Sequence, residues 1–324
     1  MELDRIRSMA QRIKENIKKV IVGKDEVIDQ LLIALISSGH VLLEDVPGTG
    51  KTLLAKSLAR SLDCTFRRVQ FTPDLLPSDL SGINFYNQKI GEFQFRPGPV
   101  FTNILLADEI NRATPRTQSS LLETMEERQV TVDGDTRILE RPFMVLATQN
   151  PVETQGTFPL PEAQLDRFLM KVDMGYPSTD EGVEILRRFK ERDPLVEIEP
   201  VVQREEITDA QKNYARVYVS DDIMRYIVRI VEVTRQHSEI MLGVSPRGSQ
   251  ALLKAVQVYA ILQGRDYVSP DDIKQMAKPV LGHRIILRSV LGMREGQLDE
   301  IISQIFKAVP VPSEKIPSKD EAIL

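Results

Sequence analysis

A glycine-rich turn followed by a lysine and a threonine lies at residues 47–52, separated by three residues from the apolar run 41–43. Glycines at such a turn let backbone N–H groups face a phosphate, because no side chain blocks the approach. Lys51 would then reach the β- and γ-phosphates of a nucleotide, and the Thr52 hydroxyl would lie on Mg²⁺. The helix that is predicted to begin near Lys51 points its positive end at the same phosphates. An ordinary strand–turn–helix is the alternative, and the spacing Gly-x-Gly-Lys-Thr disfavours it.

One position departs from the pattern of a phosphate-binding loop. The pattern has its first glycine at position 45, and this chain has Asp45 there. Phosphates would repel a carboxylate so close to them. We therefore expect Asp45 to point away from the nucleotide or to bond its own loop backbone.

Two adjacent acids end the apolar run 104–107. A run of this length suits a strand buried on both faces of a parallel sheet, and the carboxyl end of such a strand lies at the ligand edge. Asp108 would hold Mg²⁺ through water, since Mg²⁺ keeps part of its hydration shell. Glu109 would polarise the attacking water as a general base. A buried strand ending in a solvated acidic turn is the alternative, which the pairing with Lys51 disfavours.

The composition is that of a globular protein with room for two ordinary domains. The chain has 324 residues and a net charge of -5, and this acidic balance argues against a protein that lives on nucleic acid. Cys64 is the only cysteine and the three histidines lie far apart, so we expect neither a disulfide framework nor a metal cluster. Because no secretion signal and no membrane-length apolar run is seen, we expect a cytoplasmic protein without a transmembrane segment.

Four longer motifs surround the candidate residues. They read Ala-Asp-Glu-Ile-Asn-Arg-Ala at 107–113, Gln-Ser-Ser-Leu-Leu-Glu-Thr-Met-Glu-Glu at 118–127, Ala-Thr-Gln-Asn-Pro at 147–151 and Leu-Pro-Glu-Ala-Gln-Leu-Asp-Arg-Phe at 160–168. In this order they resemble the MoxR family of AAA+ ATPases, which is related to the motor subunits of magnesium chelatase. The resemblance covers the chain except for its first few residues and its tail.

The resemblance implies where ATP binds. It places the adenine near Ile21, Val22 and Gly23, although the sequence alone favours a plain helix–helix connector there. The loop around the phosphates would comprise Pro47, Gly48, Thr49, Gly50, Lys51, Thr52 and Leu53.

Three polar residues would complete catalysis. Asn150 follows a buried strand, where its amide can hold the attacking water, and a cap on the turn before Pro151 is the alternative. By resemblance, Arg167 enters the ATP site of the neighbouring subunit as an arginine finger, unless it pairs with an acid of its own chain. Arg247 matches the arginine called sensor 2, which touches the bound phosphates and couples the angle of the lid to the nucleotide state. A plain helix-terminal arginine is the alternative, and the helix dipole disfavours it.

The motifs predict an α/β fold, and the resemblance implies a P-loop AAA+ core with a parallel five-stranded sheet and inserted hairpins, followed by an all-α lid. A first hairpin is predicted within the turn-rich stretch 73–99, where Ile83 and Phe85, and then Phe93 and Phe95, alternate with polar residues, and a second at 129–139. By resemblance the first projects toward the pore of a ring, and a surface hairpin that covers the sheet edge is the alternative. The composition shifts at Tyr176, and the chain after it is predicted to be almost wholly helical. The predicted units are a nucleotide-binding core at 1–176, a lid at 177–308 and a poorly ordered tail at 309–324.

The sequence therefore predicts an ATP- and Mg²⁺-dependent motor. By resemblance it forms a homo-oligomeric ring, expected to be a hexamer, and remodels or matures a protein client, such as one with a von Willebrand A domain. A DNA-translocating motor is one rival, which would have a basic pore and an appended winged helix. A nucleotide-gated scaffold without turnover is another, and the intact set of acids and arginines argues against it.

Overall fold

The computed structural model describes residues 2–44, 48–150, 156–190, 193–288 and 296–312. Its strands are β1 Val41–Glu44, β2 Phe66–Gln70, β3 Gly82–Asn87, β4 Glu92–Pro97, β5 Ile104–Asp108, β6 Gln129–Val132, β7 Asp135–Ile138, β8 Met144–Gln149, β9 Met170–Val172, β10 Ile240–Leu242 and β11 Ile286–Leu287. Its α-helices are α1 Glu2–Lys18, α2 Asp25–Ile36, α3 Lys51–Ser61, α4 Pro77–Ser81, α5 Pro115–Glu127, α6 Glu162–Leu165, α7 Thr179–Phe189, α8 Arg204–Asn213, α9 Asp221–Gln236, α10 Pro246–Leu262, α11 Pro270–Leu281 and α12 Gln297–Ala308.

Five parallel strands form the central sheet in the order β2-β5-β8-β1-β9. Strands β5, β8, β1 and β9 are apolar almost throughout, because helices cover both faces of a parallel sheet. The edge strand β2 differs, since Arg67, Arg68 and Gln70 are exposed on it. The predicted five-stranded parallel sheet is confirmed.

Alternate residues of each strand pack on opposite faces of the sheet, as the two-residue period of a strand requires. Leu43, Leu106 and Leu146 face one apolar cluster, which also holds buried residues of α1, α2 and α3. Leu105 and Val145 face a second cluster, which α5 covers. The sheet is therefore a buried middle layer between two apolar clusters.

Helices α7 to α12 follow β9 and form the predicted lid. Buried residues of α8, α10 and α11 belong to the same apolar cluster as α1 and α2, so the lid packs directly on the core. One small element adds to the all-α lid, because β10 and β11 pair as a short antiparallel ladder. A ladder of this length is too short for an alternating pattern to reveal it.

Both inserted hairpins are confirmed. Strands β3 and β4 pair in antiparallel register, and so do β6 and β7. The turn of the second hairpin has φ angles of 52° at Asp133 and 90° at Gly134, which an Asp-Gly turn adopts readily. The two hairpins touch, since the Asn84 amide donates to the Asp133 carboxylate at 2.9 Å.

The predicted tail is described only in its first four residues, 309–312. Val309 is buried against the first apolar cluster, whereas residues 313–324 of the predicted tail lie outside the described residues. Within those ranges, no helix combines the length and the apolarity needed to cross a bilayer. The division into 1–176 and 177–308 stays a prediction.

His40 is a buried neutral group that should make stability depend on pH. Its Nδ1 accepts from the Val145 N–H, so its Nε2 donates to the Met125 carbonyl, both at 2.9 Å. Burial, together with nearby Arg128, lowers the pKa of His40 to about 4. Below pH 6.5 the unfolded chain takes up a proton that the folded chain rejects.

We expect the free energy of unfolding to fall as pH drops from 6.5 toward 4, with His40 contributing at most about 3 kcal/mol of this loss. Urea unfolding at pH 7 and pH 5 measures it. A His40→Gln variant is expected to be less stable at pH 7 but to lose less between the two pH values. An equal loss in both proteins would contradict the assignment.

Candidate active site

The carboxyl edge of the sheet gathers the residues that the phosphate chemistry requires. Strands β1, β5 and β8 are parallel, so Glu44, Asp108 and Gln149 all end at this edge. Asn150 follows Gln149 directly. The edge lies next to α3, which begins at Lys51 after the loop. The sheet thus brings together the predicted phosphate, metal and water positions.

The loop before α3 has the backbone that phosphate binding needs. Gly48 and Gly50 have φ angles of 88° and 92°, which side chains rarely tolerate. A Cβ at either glycine would meet no atom of the described residues within 4 Å. Gly50 occupies the N-cap position of α3 and has no side chain with which to cap the helix N–H groups. The positive end of a helix that begins after such a loop favours an anion.

Parts of the predicted loop lie outside the described residues. Asp45 and Pro47 are among them, so the expected orientation of Asp45 stays a prediction. Thr52 and Leu53 lie in the first turn of α3.

Asp108 is held from two sides. The Thr148 hydroxyl donates to one carboxylate oxygen at 2.5 Å. Arg68 donates to the other through Nε and Nη2, at 3.0 and 2.7 Å. Asp108 and the Thr52 hydroxyl offer oxygen atoms near the same sheet edge, and oxygen is the donor that Mg²⁺ prefers. The residues therefore fit a magnesium ion, with Arg68 balancing the carboxylate charge.

Glu109 has a strained backbone and a fixed side chain. Its φ angle is 56°, in the left-handed region that non-glycine residues seldom occupy, and such strain concentrates at functional sites. Its N–H donates to the Thr148 hydroxyl at 2.8 Å. Its Oε2 accepts from the Gln70 amide at 2.6 Å and pairs with Arg112 Nε at 2.9 Å. Thr148 therefore ties both acids to β8.

Sequence reasoning missed Arg68, Gln70 and Thr148. Arg68 and Gln70 lie on β2, whose register places Gln70 opposite Asp108. Thr148 lies on β8, on the other side of β5. The polar residues on these two strands could have indicated the contacts. Recognising them requires the strand order, which the sequence alone does not reveal.

Gly23 lies where the core meets the lid. Its φ angle is 66°, and a Cβ there would collide with the Glu181 carboxylate of α7. Lys24 next to it donates to the Gly175 and Tyr176 carbonyls at 3.1 Å. Val22 and Gly23 therefore lie beside the start of the lid, and their contact with adenine stays a prediction.

The edge at which the parallel strands begin, here called the amino edge of the sheet, carries the two predicted arginines. Arg167 precedes β9, and the Leu169 N–H donates to the His40 carbonyl just before β1. The guanidinium of Arg167 donates to the Leu122 carbonyl at 2.9 Å and lies 3.1 Å from Glu126 Oε2. The ion pair within the chain, which the sequence left open as an alternative, is therefore present.

Arg247 lies beside Arg167 and not beside Lys51. Its Nη2 donates to the second oxygen of Glu126 at 2.5 Å, so one carboxylate holds both arginines. The pair lines a cleft of about 220 Å³ together with Arg128 and other residues of the amino edge. The four residues of β1 alone separate the two edges by about 13 Å. Arg247, the predicted sensor 2, thus lies across the sheet from the phosphate loop of its own chain.

A phosphate loop after β1, paired acids after β5 and a helical lid define a P-loop ATPase of the AAA+ class. The sequence matches the ATPase family associated with various cellular activities (AAA) over residues 40–170 and the AAA lid domain over residues 232–305.

Similar proteins narrow the class. The chain is 52% identical to the uncharacterized protein YeaC of Bacillus subtilis, over 93% of this chain and 94% of that one. It is 41% identical to the chaperone MoxR1 of Mycobacterium tuberculosis, over 91% of this chain and 80% of that one. A crystal structure of a candidate ATPase from Cytophaga hutchinsonii matches with a TM-score of 0.87 and 39% identity, over 96% of this chain and 97% of that one. The chain belongs to the MoxR family of AAA+ ATPases, and its reaction is ATP hydrolysis.

Proposed function

We propose that this ATPase works as a ring in which Arg167 and Arg247 of one chain complete the ATP site of the next. The observation that carries the proposal is the shared carboxylate of Glu126, which holds both arginines at the amino edge. Lys51 and the paired acids lie at the opposite edge. A head-to-tail contact brings the two edges together, and such contacts generate rings when the rotation closes.

Each residue then has a distinct chemical task. Lys51 and the start of α3 bind the β- and γ-phosphates. Glu109 accepts a proton from the attacking water, which Asn150 orients. The arginine pair from the neighbour neutralises the charge that develops on the transferred phosphoryl group.

The metal has its place among these residues. Thr52 and Asp108 would hold Mg²⁺, with part of its water shell kept. When bound, this ion would supply positive charge that offsets the negative charge of the phosphates.

Hydrolysis in such a ring would turn the lid, at 177–308, against the core, at 1–176, and so remodel a protein client. The chaperone name of the Mycobacterium relative supports this part. The first hairpin also exposes aromatic residues, with Tyr86 53% and Phe93 73% exposed, and exposed apolar side chains suit contact with another protein. We propose a hexamer and a client such as a von Willebrand A domain protein, and no stable nucleic-acid complex.

The trans arrangement is tested by mixing two inactive variants. Lys51→Ala should lose ATP binding but still offer its arginines, and Arg167→Ala should bind ATP but lack a finger. Mixed rings contain interfaces where an intact site meets an intact finger, so activity should return. A finger is worth about 10³–10⁵ in rate, so even a small share of repaired interfaces is visible.

The matched control is a mixture of Lys51→Ala with a Lys51→Ala, Arg167→Ala double variant, which has no intact site. Mixed-ring formation is shown by copurification of two differently tagged chains. Rates equal to the sum of the separate variants, in rings shown to be mixed, would overturn the trans assignment.

Duplex DNA added to the parent enzyme should leave the rate of ATP hydrolysis unchanged, and a severalfold stimulation would favour the DNA motor.

A further inference from the structure

Asp166, which directly precedes Arg167, connects the core to the lid through both of its carboxylate oxygens. Its Oδ2 accepts from the Ser245 hydroxyl at 2.8 Å. Its Oδ1 accepts from Arg284 Nε at 2.6 Å. Ser245 stands two residues before Arg247. The Asp166 side chain therefore links the segment that carries Arg167 to the segment that carries Arg247.

Ser245 has an unusual role for a residue at the start of a helix. It occupies the N-cap position of α10, yet within the described residues its side chain caps no helix N–H group. Ser178 and Ser220 occupy the same position on α7 and α9, and each accepts from the third N–H at 3.3 Å, as N-cap serines usually do. The Ser245 hydroxyl is instead committed to Asp166.

Arg284 fixes the backbone on which Arg167 is carried. It comes from the lid and is only 7% exposed. Its Nη2 donates to the Phe168 carbonyl at 2.6 Å and to the Asp166 carbonyl at 3.1 Å, and its Nη1 donates to the Leu169 carbonyl at 3.1 Å. A buried guanidinium with this many acceptors holds its partners in one geometry.

We propose that Asp166 is a positioning residue, which joins Arg167 to Arg247 so that both enter the neighbouring ATP site as one unit. Ser245 supplies the link to Arg247, and Arg284 anchors Asp166 from within the lid. The link fixes the spacing of the two arginines, so that they reach the neighbouring site together. This inference rests on the proposed trans function, and it adds that the spacing of the pair is set inside the donating chain.

Ser245→Ala is the cleanest probe, because it removes the link to Asp166 without removing a helix cap. The substitution is placed in the donor, a Lys51→Ala chain that cannot hydrolyse ATP itself, and this donor is mixed with Arg167→Ala acceptors. All recovered activity then arises in acceptor sites. We expect the recovered kcat to fall about tenfold relative to the Lys51→Ala donor, because misplaced groups lose rate and not binding, while the KM for ATP stays within about twofold.

Two controls separate positioning from folding. Ser220→Ala in the donor removes a true cap on α9, so it should lower the melting temperature and leave the recovered kcat unchanged. Ser245→Ala placed in the acceptor should also leave recovery unchanged, because an acceptor lacks Arg167 and so activates no neighbouring site. Ser245→Thr in the donor, which keeps a hydroxyl, should restore most of the recovery.

The outcomes distinguish the two proposals. No recovery with the plain Lys51→Ala donor would overturn the trans function itself. Recovery that is equally strong with the Ser245→Ala donor would leave the trans function standing and overturn the positioning role. An equal fall with Ser220→Ala would also overturn it, since loss of lid stability would then explain the effect.

Discussion

Glu109→Gln is expected to bind ATP as the parent does and to hydrolyse it about 10²–10⁴-fold more slowly. The amide cannot accept the proton of the attacking water, whereas Lys51, Thr52 and Asp108 remain to hold the nucleotide. The variant should therefore stay longer in its ATP-bound, assembled state. Single-turnover hydrolysis and equilibrium ATP binding, measured on the same preparation, give the two quantities separately.

Glu232→Gln is the matched control for this change. It makes the same substitution at an exposed position of α9 in the lid and should leave both binding and rate unchanged. Normal turnover in Glu109→Gln would remove Glu109 from the mechanism. Loss of ATP binding in that variant would instead give Glu109 a role in holding the nucleotide.

Arg167→Ala and Arg247→Ala should each reduce the hydrolysis rate by a large factor, about 10³-fold or more for a finger that meets the γ-phosphate. Because Glu126 and Asp166 hold the two arginines as a pair, the double variant should lose little beyond the more damaged single variant. Groups that act as a unit are non-additive in this way. The rates of the four proteins at saturating ATP form the required cycle.

Arg225→Ala is the control for the loss of a positive charge from the lid, since Arg225 is exposed on α9. Its rate should match that of the parent. A double variant whose loss equals the product of the two single losses would show that Arg167 and Arg247 act independently.

The sequence predicted the carboxyl edge of the site well, for physical reasons. The run 104–107 identifies a buried strand, and acids at its end must lie at the ligand edge of a parallel sheet. Gly48 and Gly50 indicate a backbone with positive φ angles, which other residues rarely adopt. Local pattern and edge position are enough for these residues.

The arrangement around them could not be predicted in the same way. The contacts of Thr148 and Gln70 with the two acids depend on strand order and register. The position of Arg247 depends on how the lid docks on the core, which is decided by a shared apolar cluster and not by any local motif. A motif can name an arginine as sensor 2, but only the docked lid shows that it shares Glu126 with Arg167.

The central claim is that both arginines of one chain serve the same neighbouring site. It is tested most directly by mixing Arg167→Ala with Arg247→Ala and comparing the rate with that of Lys51→Ala mixed with Arg247→Ala. In the first mixture every interface receives an incomplete pair, so no activity should return. In the second, Lys51→Ala chains present a complete pair to intact sites, so activity should return. Recovery in the first mixture and none in the second would place Arg247 in the site of its own chain and contradict the account.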